Sequence, residues 1–167
     1  MAEEKPINVP FELIGDDFPH AWFFNRFRVD KIGESVMVTF GLLTEGGGLP
    51  DVNAAVLSES DLQNNRPRAV SFLERVGEIA PKSNPSLGFT APPKRVYPVN
   101  HINFSRINNS SEIGFFRFSV STLVDRLREL RENSAARPAA VKCYPAVMFR
   151  CDLDVQVALI KELFAKR

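Results

Sequence analysis

Only two cysteines, two histidines and one tryptophan occur among the 167 residues of this chain. Cys143 and Cys151 are too few for a disulfide framework and suit a reducing, cytoplasmic home. Neither has a partner at Cys-x-x-Cys spacing, and His20 and His101 form no His-x-x-x-His pair, so no structural metal site is expected. Both cysteines share strand parity with Val141, Val147 and Phe149 and read as small core hydrophobes. Asp16, Asp17 and His20 read as a solvated turn. Long apolar runs are lacking as well. The longest, such as Ala54–Leu57, are a few residues, which excludes a bilayer-spanning helix. The acidic start Met1–Lys5 has no apolar stretch behind it, so no signal peptide is expected. An excess of one charge is also lacking. Lys and Arg number 21 against 20 Asp and Glu, for a net +1, which excludes a histone-like protein and an acidic-tail protein.

Catalytic signatures are lacking in the same way. There is no Gly-x-Ser-x-Gly elbow and no phosphate-cradling Gly-x-x-x-x-Gly-Lys. Gly46-Gly47-Gly48 has no following Lys and reads as a loop. The carboxylate pairs Glu59/Asp61 and Asp152/Asp154 lie where a strand hands over to a helix, where Asp and Ser cap. The expectation is a protein that is not an enzyme and needs no cofactor.

What is present is an ordinary globular composition, 44% hydrophobic and 25% charged, in a length that suits one domain. Residues 1–20, with Pro6, Pro10 and Pro19, read as an extended lead-in pinned by Phe11, Leu13 and Phe18. Ala21–Val29 and Ser35–Leu43 are aromatic and β-branched and predict a hairpin turning at Gly33. A third strand is predicted at Val52–Leu57, then a turn over Ser58–Asn65. A helix beginning beside Pro67 and ending at Gly77 follows, with Val70, Leu73 and Val76 as its stripe. The proline-rich stretch Gly77–Arg95 is the predicted linker, centred on 80–95. Beyond it, strands are predicted at Val96–Ile107, Glu112–Val120 and Ala140–Cys151, and Pro145 breaks the last strand's ladder unless it lies at an edge or a bulge. A helix over Thr122–Asn133 lies between the last two, and a C-terminal helix carries Val155, Leu159 and Leu163.

The second stretch repeats the plan of the first. Asn25–Val29 lies over Asn100–Phe104, Thr39-Phe40 over Arg117-Phe118, and Val56-Leu57 over Val147-Met148, with Thr122–Asn133 replacing the glycine loop. The predicted class is therefore α+β, an antiparallel sheet built from two tandem β-β-β-α-like units, residues 21–79 and 96–167, packed as one domain. An extra helix is inserted in the second unit. The apolar core is expected to draw on Phe27, Val36, Val38, Phe40, Val56, Leu73, Phe104, Phe116, Phe118, Leu127, Val147, Phe149, Leu159 and Leu163.

One distribution of side chains stands out. The six predicted strands hold Arg26, Arg28, Arg106, Arg117, Lys142 and Arg150 against a single acid, Glu112. Period-2 parity puts Trp22, Phe24, Arg26 and Arg28 on one face, with Phe115 and Arg117, and with Lys142, Tyr144 and Arg150. His101 faces away from Ile102 and Phe104. These ten residues form a predicted aromatic–basic surface. Such a mixture marks a contact with a partner protein or a second copy. It also suits a platform for single-stranded nucleic acid, or a face covered by the rest of the chain.

Two aromatic strands, a third ending in Ser58-Glu59-Ser60-Asp61, and an amphipathic helix resemble the repeat of PUR and Whirly-type single-strand nucleic-acid-binding proteins. The resemblance covers most of residues 21–79 and 96–164. It implies that Arg26, Phe27, Arg28, Phe115 and Arg117 lie on a nucleic-acid-binding sheet. The first half is also similar to small bacterial domains of unknown function with the same strand order.

Overall fold

A computed structural model describes residues 9–15, 17–48, 51–77, 79–88, 92–108, 110–135 and 137–165. The class is α+β. Among the described residues, nine strands form two sheets and three helices accompany them. The first sheet runs β3 (Arg26–Ile32), β4 (Ser35–Gly41), β5 (Val52–Ser58), β6 (Arg95–Pro98). The second runs β7 (His101–Ile107), β8 (Ser110–Arg117), β9 (Val141–Asp152). The outer edge of β9 carries β1 (Phe11–Leu13) and β2 (Ala21–Phe23), one after the other.

The two units are interlocked. Each sheet has three antiparallel strands from one unit and, at one edge, a parallel strand from the start of the other: β2 on β9 and β6 on β5. The predicted long strands Ala21–Val29 and Val96–Ile107 are therefore each two strands in different sheets. The chain crosses over at Asn25 and at Asn100, with the same device both times. The Asn25 amide donates to Leu43 O at 3.0 Å and accepts Leu43 N–H at 2.8 Å. The Asn100 amide does the same with Phe118, at 2.9 Å each way. In both hairpins the amide partner lies 18 residues on. Trp22 and Tyr97 hold equivalent places, 75 residues apart, and meet through a bond of 3.3 Å from Nε1 to the Tyr97 hydroxyl. Gly33 (φ 59°) and Asn108 (φ 56°) occupy matching turns in the left-handed region, which Gly and Asn tolerate best. The repeat is thus real in geometry, but its register differs from the one read from sequence. Phe40 corresponds to Phe115, opposite Phe27 and Ile102, because the two turns are equally long.

Inward side chains of both sheets share one core. Phe40 stacks on Phe149 at 3.9 Å, and Phe24 and Phe115 meet that pair edge-on. Helix α1 (Glu59–Val76) contributes Leu62, Ala69 and Phe72, and α3 (Leu153–Leu163) contributes Val155, Leu159, Ile160 and Leu163. Helix α1 begins eight residues before the predicted Pro67 start. Ser58 caps it, Oγ accepting Asp61 N–H at 3.1 Å, with Glu59 and Asp61 in the first turn, a favourable placement at the positive end of the helix. Pro67 lies inside the helix, where it removes one backbone bond. The buried stripe Leu62, Asn65, Ala69, Phe72 on both sides of it holds the helix to the core. Of the other predicted core positions, Val56, Leu73 and Leu127 are only half-buried.

Helix α2 (Val120–Glu132) is the predicted insertion. It starts two residues earlier than expected, capped by Ser119 rather than Thr122. No residue of it is fully buried. It covers a second apolar cluster on the outer face of the second sheet, made by Phe116, Phe118, Val141 and Cys143 with Phe11, Phe18 and Leu123. Two clusters arise from one strand because β9 has a bulge. Phe115 pairs with Val147 and Phe116 with Pro145, so Ala146 is extra. An extra residue reverses strand parity, which places Val141 and Cys143 on the opposite face from Val147 and Phe149. Gly114 sits under Phe18, and a Cβ there would lie 2.9 Å from Phe18 Cζ and 3.0 Å from Phe116 Cε2. Gly114→Ala is expected to cost about 1–3 kcal/mol by overpacking in urea unfolding. Adding Phe18→Leu is expected to recover much of that loss, and no recovery would place the clash elsewhere.

The predicted linker carries its own contacts. Pro85 O accepts Phe27 N–H and Leu87 N–H donates to Phe27 O, both at 2.8 Å, so this segment lies along the free edge of β3. Leu87 is buried, and Lys82 N–H donates to Asp154 at 2.9 Å. Among the described residues, no helix is long and apolar enough to cross a membrane.

Candidate functional site

The predicted aromatic–basic residues do not share one face. At the Asn25 crossover the parity slips, so Trp22 and Phe24 point inward from one sheet while Phe27, not Arg26, points inward from the next. Phe24 and Phe115 are core residues, 3% and 1% exposed. The β9 bulge separates Lys142 and Tyr144 from Arg150. Tyr144 is exposed opposite Arg117, whereas Arg150 lies beside Phe23 on the other side of the sheet. Trp22 is half-buried, closed off by Tyr97 and by Arg95, whose guanidinium stands 6.0 Å from its ring centroid. His20 stacks beside Trp22 and lies 3.0 Å from Arg95 Nη1.

Five of the six predicted strand cations also have partners among the described residues. Arg28 pairs with Asp30 at 2.7 Å and Arg150 with Glu112 at 3.0 Å. Arg26, Arg106 and Arg117 donate to the carbonyls of Asn25, Asn108 and Pro98. Glu12 lies within β1, Asp30 within β3 and Asp152 at the end of β9, so the strands hold three acids besides Glu112. A platform for single-stranded nucleic acid needs a track of available cations beside stacked rings. The arrangement here disperses both.

One predicted residue leads to a different site. His101 lies on the outer face of the second sheet, 3% exposed, between Phe11 at 5.2 Å and Phe116 at 6.0 Å. It forms the floor of a cleft of about 590 Å³ between α1 and α2. Phe11, Phe118, Leu123 and Leu127 supply its apolar surface, and Asn64, Asn65, Arg68, Ser71 and Asn100 supply polar groups from α1 and the crossover. A volume of this size, apolar with a few convergent polar groups, is typical of a ligand site. Asn65 is fixed: its amide donates to Asp61 O at 2.7 Å and Asn100 O at 3.3 Å, and accepts Ile102 N–H at 3.0 Å. That anchor sets α1 against β7, and so sets where Arg68, one residue short of a full turn further on, enters the cleft. Arg68 stands 5.8 Å from the Phe11 centroid and donates to Asn65 Oδ1 at 3.5 Å.

Compared with family models, with curated proteins and with solved structures, the chain matches none. The resemblance to PUR and Whirly repeats therefore stands on strand order alone, which does not carry function.

The electrostatics of the cleft follow from burial. His101 is pushed down to about 4, first by desolvation and then by the Arg68 guanidinium beside it, so its imidazole is neutral at pH 7. Burial lowers Arg68 from its ordinary value, with the Cys143 sulfur acting in the opposite direction. Cys143 is pushed up to about 11 by desolvation, partly offset by Arg68. Cys151 is pushed up to about 12 by burial, with the Ser111 hydroxyl as a counteracting partner. Both are thiols at neutral pH and poor nucleophiles. Among the described residues, no three His, Cys, Asp or Glu side chains gather to hold a metal ion.

Arg68, Asn65, Phe11 and Leu127 were not among the predicted site residues. Asn64 and Asn65 fell in the segment read as a turn. Once α1 is extended to Ser58, Asn64, Asn65, Arg68 and Ser71 fall on one side of a helix at three- and four-residue spacing. That spacing is the signal that was available.

Proposed function

We propose that this chain is a non-catalytic binding protein, and that it holds its partner molecule in the cleft between α1 and α2 rather than on a sheet face. One observation carries the reading: an aromatic and aliphatic surface with side-chain donors converging on it, and no carboxylate lining it among the described residues. Binding follows from that composition, because rings supply buried area while a few fixed polar groups orient the ligand. Catalysis is disfavoured by the same lining, since a base held at about 4 takes up a proton weakly at neutral pH. Two buried cysteines that form no disulfide with each other suit the cytoplasmic home expected from the sequence.

The neutral fluorophore N-phenyl-1-naphthylamine tests this reading. It is expected to brighten with about one site per chain, and Leu127→Arg is expected to abolish the signal. Leu127 is half-buried and not part of either core cluster, so the circular dichroism of that variant should match wild type. A dark wild type, or a variant that binds as well, overturns the proposal.

A further inference from the structure

The cleft contains an unused donor and a cation without a carboxylate, and these define the ligand it suits. The His101 ring makes no hydrogen bond among the described residues, and it lines the cavity without being among the side-chain atoms sealed away unpartnered, so its nitrogens open onto the cleft. A neutral imidazole carries one N–H donor. Arg68 has five donors in a planar fork, of which one long bond to Asn65 is used within the described residues. No ion pair forms on it there. Both groups sit beside the rings of Phe11 and Phe118.

We propose that the cleft binds a small amphiphilic monocarboxylate, with its tail on Phe11, Phe118, Leu123 and Leu127 and its carboxylate between the Arg68 guanidinium and the His101 imidazole. The inference rests on the cleft reading above and adds the charge and shape of the ligand. A carboxylate matches the fork of a guanidinium in geometry. A single negative charge balances the single cation of the lining, whereas a phosphate monoester or a nucleic-acid strand brings more charge than one arginine meets. An amine is repelled by Arg68 and finds no acid in the lining.

The bound carboxylate also changes His101. The groups whose charge reaches that imidazole are Arg68 from α1, which opposes its protonation, and the incoming anion, which favours it. Cys143 on β9, pushed up to about 11, stays an uncharged thiol. The anion therefore raises the His101 value from its free position.

The test uses the full chain with three probes of equal tail length: octanoate, octanol and octylamine. Displacement of the naphthylamine fluorophore gives relative affinities, and the His101 ring resonances give the site. Hydrogen bonds to a charged group are stronger than neutral ones, so octanoate is expected to bind about tenfold or more tighter than octanol. Octylamine is expected to bind weakest. Arg68→Gln is expected to erase the preference for octanoate while octanol still binds, and Arg68→Lys to keep part of it. The His101 titration is expected to move upward with octanoate and to stay put with octanol.

Equal binding of octanoate and octanol would overturn the carboxylate inference and leave the cleft reading intact. Binding of none of the three, with a dark fluorophore, would overturn both. Sedimentation covers the competing occupant. A wild-type dimer that Leu127→Arg dissociates would give the cleft to a second copy of the chain and end the proposal.

Discussion

Phe40→Ala is expected to cost about 3–5 kcal/mol of stability, in the range for removing a buried aromatic ring. Phe40 is 2% exposed on β4 of the first sheet. Its ring stacks on Phe149 of the second sheet at 3.9 Å, with Phe24 at 4.8 Å and Phe115 at 6.0 Å. Truncation removes the common partner of three rings, and none of them can collapse into the gap without leaving its own sheet register. The loss should therefore approach the upper part of the range. Urea unfolding measures it, and a change below about 1 kcal/mol would show that the rings do not share one packed centre. The interlocking adds a second expectation for the same experiment. Trp22 belongs to the first unit but sits in the second sheet, so its fluorescence should change together with far-UV circular dichroism, in wild type and variant alike. Separate transitions would mean that the units come apart before they unfold.

The contrast between Phe40 and the predicted surface residues shows where sequence reading succeeds. Alternation is reliable inside a strand. Val36, Val38 and Phe40 were placed in the core by period-2 parity and are there, at 2% exposure or less. His101 was placed opposite Ile102 and Phe104, and the structure agrees, with Ile102 and Phe104 in the main core and His101 outside it. Parity fails where a strand is not continuous. Asn25 and Asn100 close their side chains onto Leu43 and Phe118, far along the chain, and nothing local marks them as crossovers. One reading frame carried through Asn25 placed Arg26 with Phe24. The frame on its far side places Phe27 inward instead.

Pro145 is the opposite case. A proline inside a strand signals a bulge or an edge, and the bulge is present beside it. The sequence showed where the ladder would break, but not that the break would divide Val141 and Cys143 from Val147 and Phe149. The cleft was less legible still. Its floor, His101, was singled out as part of the aromatic–basic face, whose members the structure disperses. Its walls come from α1, whose first two turns were read as loop because Pro67 resembles a helix start. Pro67 instead survives within the helix because buried Leu62 and Asn65 before it, and Ala69 and Phe72 after it, outweigh one lost backbone bond.

The burial of His101 makes stability depend on pH in a way that one substitution should remove. Its folded-state value is about 4, below the ordinary 6.5. Between those two values the unfolded chain holds a proton that the folded chain does not. Stability is thus fully present above about 6.5, falls as pH drops through that interval, and levels off for this group below about 4. The gap corresponds to a loss of about 3 kcal/mol. The difference between wild type and His101→Phe isolates the imidazole from whatever else changes with pH. Phe11 and Phe116 already flank the position and suit a third ring. The variant is expected to be at least as stable as wild type at pH 7 and clearly more stable at pH 5. Parallel curves of unfolding free energy against pH would show that His101 is not held neutral. Saturating octanoate supplies a second arm in wild type. A carboxylate beside the imidazole raises the folded-state value toward 6.5 and should flatten the same curve, whereas octanol should stabilise the chain without changing its slope.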